Sequence, residues 1–96
     1  MKAHLKYYLK NKVQDRYIVE LSIYDVGKSS KYPDGMKFGL ICKDLKTNDF
    51  VLIDNHHPKG PHIHINDREF KYDYVNDDRL ISDFEMLVFK ELGVKL

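Results

Sequence analysis

The sequence predicts an α+β protein, an antiparallel β meander of about five to six strands with one C-terminal helix packed on the sheet. Apolar and polar residues alternate up to about residue 75, and this period of two is typical of half-buried strands. Over residues 80–92 the apolar residues instead recur every three to four positions, as on one side of an amphipathic helix. Short connections join the predicted strands, and these suit antiparallel pairs because a parallel crossover needs about a dozen residues or more.

Alternation and turn residues together define the strands. The predicted strands span residues 5–9, 17–23, 36–43, 50–54, 62–65 and 68–74. The first of them has few β-branched residues, so a short helix is an alternative there. The strand at residues 17–23 has the clearest alternation. Strands three and four are predicted to pair with each other, because only a short polar segment separates them.

One helix follows the last strand. Asn76 or Asp77 can cap its start, because side-chain oxygens accept hydrogen bonds from the first free backbone N–H groups. Gly93 stands where a helix commonly ends in a left-handed residue. With 96 residues the chain is predicted to be a single domain, residues 1–96, with one modest core.

Composition and charge limit the classes of function. A formal net charge of +1 does not indicate nucleic-acid binding by bulk charge. Lysine is concentrated in residues 1–16 and acid in residues 73–85, however, which leaves a positive surface open. The single cysteine, Cys42, excludes an internal disulfide framework, fits a reducing compartment and is predicted to be a buried structural thiol. No signal peptide and no membrane-spanning run is evident, so we expect a cytoplasmic protein without a membrane partner.

Histidines mark the candidate site. Within nine residues lie His56, His57, His62 and His64. Imidazole both gives and takes protons near neutral pH, and in its neutral form it is a common metal ligand. Lys59 and Gly60 lie in the same stretch and bring a cation and unhindered backbone to one place. The stretch therefore predicts a functional site at which a phosphate is a plausible guest.

The register of the last hairpin predicts which side chains share a face. Asn and Asp tolerate positive φ, so residues 66–67 are predicted to form a two-residue turn. His62 then lies opposite Lys71, and His64 lies opposite Glu69. Directly opposed side chains have Cβ atoms about 5 Å apart and point to the same face. The opposite, core-facing set is predicted to be Ile63, Ile65, Phe70, Tyr72 and Tyr74.

The histidine face fits metal-independent cleavage of RNA. Glu69 can orient His64, and Lys71 lies beside His62, so the two imidazoles are predicted to have different electrostatic surroundings, as a general base and a general acid require. The base removes the 2′-hydroxyl proton, the acid protonates the leaving 5′ oxygen, and Lys59 stabilises the charged phosphorane. This chemistry needs no cofactor.

Two alternatives use the same residues. His62, His64 and Glu69 form a ligand set for zinc, iron or manganese that His56 or His57 can close from the loop, which would make the chain a small metalloprotein. The second alternative is a non-catalytic module whose histidine face binds a protein or a nucleic acid.

The stretch at residues 50–64, with Glu69 and the segment at residues 80–84, resembles the TumE-like toxins of prokaryotic toxin–antitoxin systems. The resemblance covers about the last half of the chain, and the earlier strands agree only in layout. It implies a growth-inhibiting toxin that acts on RNA and is neutralised by a helix-turn-helix antitoxin. By position, the functional residues that it implies are Asp54, Asn55, Lys59, His62 and His64.

We therefore predict an endoribonuclease of toxin type, with an RNA substrate and an antitoxin partner. The predicted catalytic residues are His62, His64, Lys59 and Asp54. The predicted substrate-binding residues are Asn55, His57, Lys71 and Glu69. No metal ligand is assigned. A free edge strand in so small a sheet would also allow a homodimer.

Overall fold

A computed structural model describes residues 3–96 and confirms the predicted α+β fold, with a six-stranded antiparallel sheet and one helix packed on it. The elements are β1 (His4–Val13), β2 (Tyr17–Asp25), β3 (Met36–Asp44), β4 (Phe50–Asp54), β5 (His62–Ile65), β6 (Arg68–Lys71) and α1 (Asp77–Leu92). The strands follow one another across the sheet in chain order, and every neighbouring pair is antiparallel. The sheet is therefore a simple meander, as the short connections predict.

The last hairpin has the predicted register. Ile65 pairs with Arg68 across the two-residue turn, and Asn66 in that turn has the positive φ of 56° that such turns require. The Asn66 side chain also accepts a hydrogen bond from the backbone N–H of Phe50 at 2.9 Å. The turn is thereby tied to the start of β4, which helps to fix the alignment of β5 against its neighbours.

Helix α1 begins and ends at the predicted caps. The Asn76 side chain accepts a hydrogen bond from the backbone N–H of Arg79 at 2.8 Å. Gly93 has φ 73°, and its N–H donates to the carbonyl of Phe89 at 3.0 Å. The helix buries one stripe against the sheet, formed by Leu80, Phe84 and Val88.

The core lies between α1 and the side chains that alternate along β2, β3 and β4. Its fully buried members on the strands include Ile23, Leu40, Cys42, Val51 and Ile53. Cys42 is 0% exposed, and burial raises the pKa of its thiol to about 11. The predicted burial of this cysteine is thus confirmed.

An ion pair joins the turn between β1 and β2 to the end of β3. The Arg16 guanidinium donates to both carboxylate oxygens of Asp44, at 2.9 and 2.8 Å. The same carboxylate accepts a hydrogen bond from the backbone N–H of Lys46 at 2.8 Å. Only 6% of the Asp44 side chain is exposed, and its charge is satisfied by these donors. Hydrogen bonds from Arg16 hold the pKa of the Asp44 carboxyl well below its usual range.

The structure decides between the two alternatives for residues 5–9 and corrects two other local predictions. Residues 5–9 belong to a strand and not to a short helix. The last strand ends at Lys71 and not at residue 74. Tyr72 still donates its N–H to the carbonyl of Pro61 opposite it at 3.1 Å, but proline has no N–H to donate in return, so the pairing stops there. Phe70, predicted to be buried, is 46% exposed because it lies on edge strand β6, beyond the strands that α1 covers.

The sheet thus has a closed face under α1 and an open face on the other side. Strands β1 and β6 form its edges among residues 3–96, and the predicted homodimer through such an edge stays a prediction. Within the same residues there is no helix with the length and apolar character needed to span a membrane.

Candidate active site on the open face

The strand register brings the candidate residues onto the open face. Directly paired residues of neighbouring strands share a face, so one line of side chains crosses all six strands. This line, the central row, is formed by Tyr8, Ser22, Gly39, Asp54, His62 and Lys71. The next paired line on the same face carries His64 and Glu69. The predicted grouping of His62, His64, Glu69 and Lys71 on one face is confirmed at the level of register.

His62 is the most enclosed of these side chains, with a relative exposure of 7%. Its Nδ1 lies 2.7 Å from the carbonyl oxygen of Gly60. A carbonyl oxygen can only accept, so Nδ1 carries a proton. The other ring nitrogen, Nε2, lies 2.9 Å from Oδ1 of Asp54, which stands opposite His62 on β4. Each ring nitrogen therefore lies close to a protein oxygen, and Nδ1 is held by a hydrogen bond.

The contact between His62 and Asp54 is short but not a well-formed hydrogen bond. Oδ1 of Asp54 is buried and, among the described residues, has no hydrogen-bond partner, so it lies off the direction in which Nε2 would donate. With its proton on Nδ1, a neutral imidazole has none on Nε2, so this nitrogen and the carboxylate oxygen lie 2.9 Å apart as two hydrogen-bond acceptors. A cation bound by both atoms would make the contact favourable.

His64 lies next to His62 on the same face and is more accessible, with 26% of its side chain exposed. The two rings are 4.5 Å apart between centroids and nearly perpendicular, at 83°. Nδ1 of His64 is 3.7 Å from Oε1 of Glu69, which is too long for a hydrogen bond but close enough to orient the ring electrostatically.

Lys59 reaches the site from the loop before β5, where it contacts Glu69. Its ammonium lies 2.6 and 3.1 Å from the two carboxylate oxygens, and this hydrogen bonding lowers the pKa of the Glu69 carboxyl. Both side chains are well exposed, at 60% and 42%, so the pair is weak and an incoming phosphate can compete for the ammonium.

The Asn55 side chain makes structural hydrogen bonds to the backbone of β3. Its side-chain oxygen accepts from the Phe38 N–H at 2.9 Å, and its side-chain nitrogen donates to the Met36 carbonyl at 2.7 Å. The residue is 5% exposed. These bonds fix the end of β4 against β3 and so position Asp54, while the predicted contact of Asn55 with substrate stays a prediction.

Two depressions flank the Asp54–His62 contact. The first, of about 180 Å³, lies over Gly39 and is lined also by Ser22, Tyr24, Lys37 and His56. The second, of about 220 Å³, is lined by Lys59, Pro61, His62, Glu69, Phe70 and Lys71. A larger cavity of about 590 Å³ lies beside α1, away from the histidine pair, and its lining is mainly apolar.

The depression over Gly39 could not be found from the sequence. A Cβ at Gly39 would meet only the Ser22 hydroxyl, at 4.0 Å, so the hollow exists because this position has no side chain. Its relation to Asp54 depends on the pairing of β3 with β4. Among the predicted substrate contacts, Lys71 and Glu69 line the second depression, whereas His57 lies exposed in the loop.

No family model, curated protein or solved structure matches this chain. Function therefore has to be inferred from the chemistry of the open face.

Proposed function

We propose that the chain is a ribonuclease that cleaves RNA through the 2′-hydroxyl, with His62 and His64 as the acid–base pair. The observation that carries the proposal is the position of two imidazoles 4.5 Å apart on one open face, each beside its own carboxylate. Two differently placed imidazoles are what a reaction with one proton removed and one proton delivered requires.

The arrangement suggests a role for each histidine. His64 is the more accessible ring and acts as the base that takes the 2′-hydroxyl proton. The 2′ oxygen then attacks the adjacent phosphorus, and the bond from phosphorus to the 5′ oxygen breaks. His62, whose Nε2 lies beside the Asp54 carboxylate, is the general acid that delivers a proton to the departing 5′ oxygen. The products are a 2′,3′-cyclic phosphate and a 5′-hydroxyl.

Lys59 supplies the positive charge that the phosphorane needs. It lines the second depression together with His62 and contacts Glu69 there. A phosphate that replaces Glu69 as its partner gains a charge-assisted hydrogen bond close to the reacting atoms.

The remainder of the open face supports the binding of single-stranded RNA. Lys37 and Tyr24 line the depression over Gly39, and Lys71 lines the depression on the other side of His62. Lysine attracts phosphate, and an aromatic ring offers a surface on which a base can stack. RNA that crosses the sheet along the central row would place one phosphate at the histidine pair.

The toxin role rests on the resemblance described above. An RNA-cleaving protein of this type acts in the cytoplasm and needs a partner that blocks its site. The proposed partner is the helix-turn-helix antitoxin that the resemblance implies.

The test is cleavage of a long single-stranded RNA by purified protein in the presence of EDTA. We expect fragments that end in 2′,3′-cyclic phosphate, and no cleavage of DNA or of 2′-O-methyl RNA, since both lack the attacking hydroxyl. His62→Ala and His64→Ala should each lower the rate by about 10²–10⁴-fold.

The matched control is His4→Ala, because His4 is exposed at the start of β1, far along the sheet from the site. It should cleave like the wild type. Cleavage that survives the double substitution of His62 and His64 would contradict the proposal. Binding of RNA without cleavage by the wild type would favour the non-catalytic module.

A further inference from the structure

We infer that Asp54, His62 and His64 form a binding site for one divalent transition-metal ion, with Zn²⁺ as the reference ion. One donor atom from each of the three side chains lies within 4.8 Å of the other two. Two imidazole nitrogens and one carboxylate oxygen are a ligand set suited to such ions. Asp54 takes the place that the sequence assigned to Glu69, which is engaged by Lys59.

The Asp54–His62 contact has the geometry of two neighbouring ligands of one ion. Two donor atoms that each lie about 2.1 Å from an ion are about 3.0 Å apart at a right angle and about 3.4 Å apart in a tetrahedron. The observed distance from Nε2 to Oδ1 is 2.9 Å. An ion on the lone-pair axis of Nε2 has its next ligand to the side of that axis, and this is where the unpartnered Oδ1 lies.

The surroundings of His62 are those of a ligating histidine. Metal-bound imidazoles usually donate the other ring N–H to a carbonyl or carboxylate, which fixes the ring and its tautomer. Nδ1 of His62 donates to the Gly60 carbonyl at 2.7 Å, so Nε2 is left for the ion. Only 7% of the residue is exposed, so the ring needs little ordering on binding.

The third ligand needs an adjustment. Donor atoms of a tetrahedral ion are about 3.4 Å apart at bond lengths of about 2.1 Å. The donor atoms of the three side chains lie within 4.8 Å of one another, so the widest pair closes by up to about 1.4 Å when the ion binds. His64 has the freedom for this shift, since it is partly exposed and makes only a 3.7 Å contact with Glu69.

Occupancy would regulate the proposed ribonuclease, and this consequence rests on the proposed function. The ion takes the nitrogen lone pairs that acid–base catalysis uses. The metal-bound and catalytic forms would therefore exclude each other. Added Zn²⁺ would inhibit the RNA cleavage that is expected in the presence of EDTA.

The ion site is tested by titrating metal-free protein with Zn²⁺ in a calorimeter and with Co²⁺ by visible absorption. We expect one ion per chain. Asp54→Asn, which keeps the shape of the side chain and removes the charge, should weaken binding by about tenfold or more, and His64→Ala should do the same. His4→Ala should leave affinity unchanged, and circular dichroism should show that each variant is folded.

Two results would overturn the inference: no binding of either ion to the wild type, or binding that is unchanged in Asp54→Asn and lost in a His56→Ala/His57→Ala variant. Cleavage assays on the same preparations separate the two proposals. Ion binding to a protein that cleaves no RNA defeats the ribonuclease alone. RNA cleavage by a protein that binds no ion defeats the ion site alone.

Discussion

The two faces of the sheet use alternate residues of the same strands for opposite purposes. On the closed face, Leu40 and Ile53 are paired neighbours that are fully buried beneath α1. The adjacent pair, Gly39 before Leu40 and Asp54 after Ile53, lines a hollow on the open face. In β3 and β4, residues that stabilise the core thus lie next to residues that line the candidate site. Substitutions on the closed face should unfold the protein, and substitutions on the open face should leave it folded and inactive.

The largest expected effect on stability is at the centre of the closed face. Phe84 is 0% exposed, so Phe84→Ala should lower the free energy of unfolding by about 3–5 kcal/mol through lost contacts and a cavity. Urea denaturation measures this change. Phe89→Ala on the same helix is the matched control, because Phe89 is 59% exposed, and it should change stability by less than about 1 kcal/mol. Equal losses in both variants would contradict the burial of Phe84 against the closed face.

A smaller loss is expected where the two faces meet. Asn55→Ala leaves the buried Phe38 N–H and Met36 carbonyl without their side-chain partner, so it should cost about 2–4 kcal/mol. It should also reduce RNA cleavage, because Asp54 loses its support. Asn11→Ala, on exposed β1, should stay within about 0.5 kcal/mol in the same denaturation assay. An Asn55→Ala variant as stable as the wild type would show that the end of β4 does not need these two hydrogen bonds.

The Asp44–Arg16 contact predicts how stability depends on pH. The folded-state pKa of Asp44 is lowered, so its contribution is complete above the unfolded value of about 3.9 and is lost as the pH falls below it. The stability difference between wild type and Asp44→Asn should therefore be larger at pH 7 than at pH 3. Urea midpoints of both proteins at the two pH values measure it. A difference that stays constant with pH would contradict this assignment.

The smallest effect on stability, with a large effect on activity, is expected at Gly39. The position does not require glycine for its backbone, and a Cβ has room there, so Gly39→Phe should change the unfolding free energy by less than about 1 kcal/mol. Its ring would fill the hollow beside Asp54 and reduce RNA binding. Gly39→Ala is the control and should keep most of the activity. If Gly39→Phe left the RNA affinity unchanged, the substrate would not bind along the central row.

The meander, the helix with both caps and the pairing of His62 with Lys71 follow from local patterns in the sequence. They are predictable because periodicity, cap residues and a two-residue turn act over a few positions. The Asp54–His62 contact and the hollow over Gly39 depend on the register between strands joined by longer connections, which local patterns do not fix. The exposure of Phe70 was missed for a related reason, since alternation says which face a residue points to but not how far the helix extends over it.

The central claim is that the open face, and not the helix, binds RNA. It is tested most directly by following backbone amide NMR shifts while ¹⁵N-labelled protein is titrated with a single-stranded 2′-O-methyl RNA, which has no hydroxyl with which to react. The largest shift changes should map to Tyr24, Gly39, Asp54, His62 and Lys71. Changes concentrated on α1, or no changes at all, would contradict it.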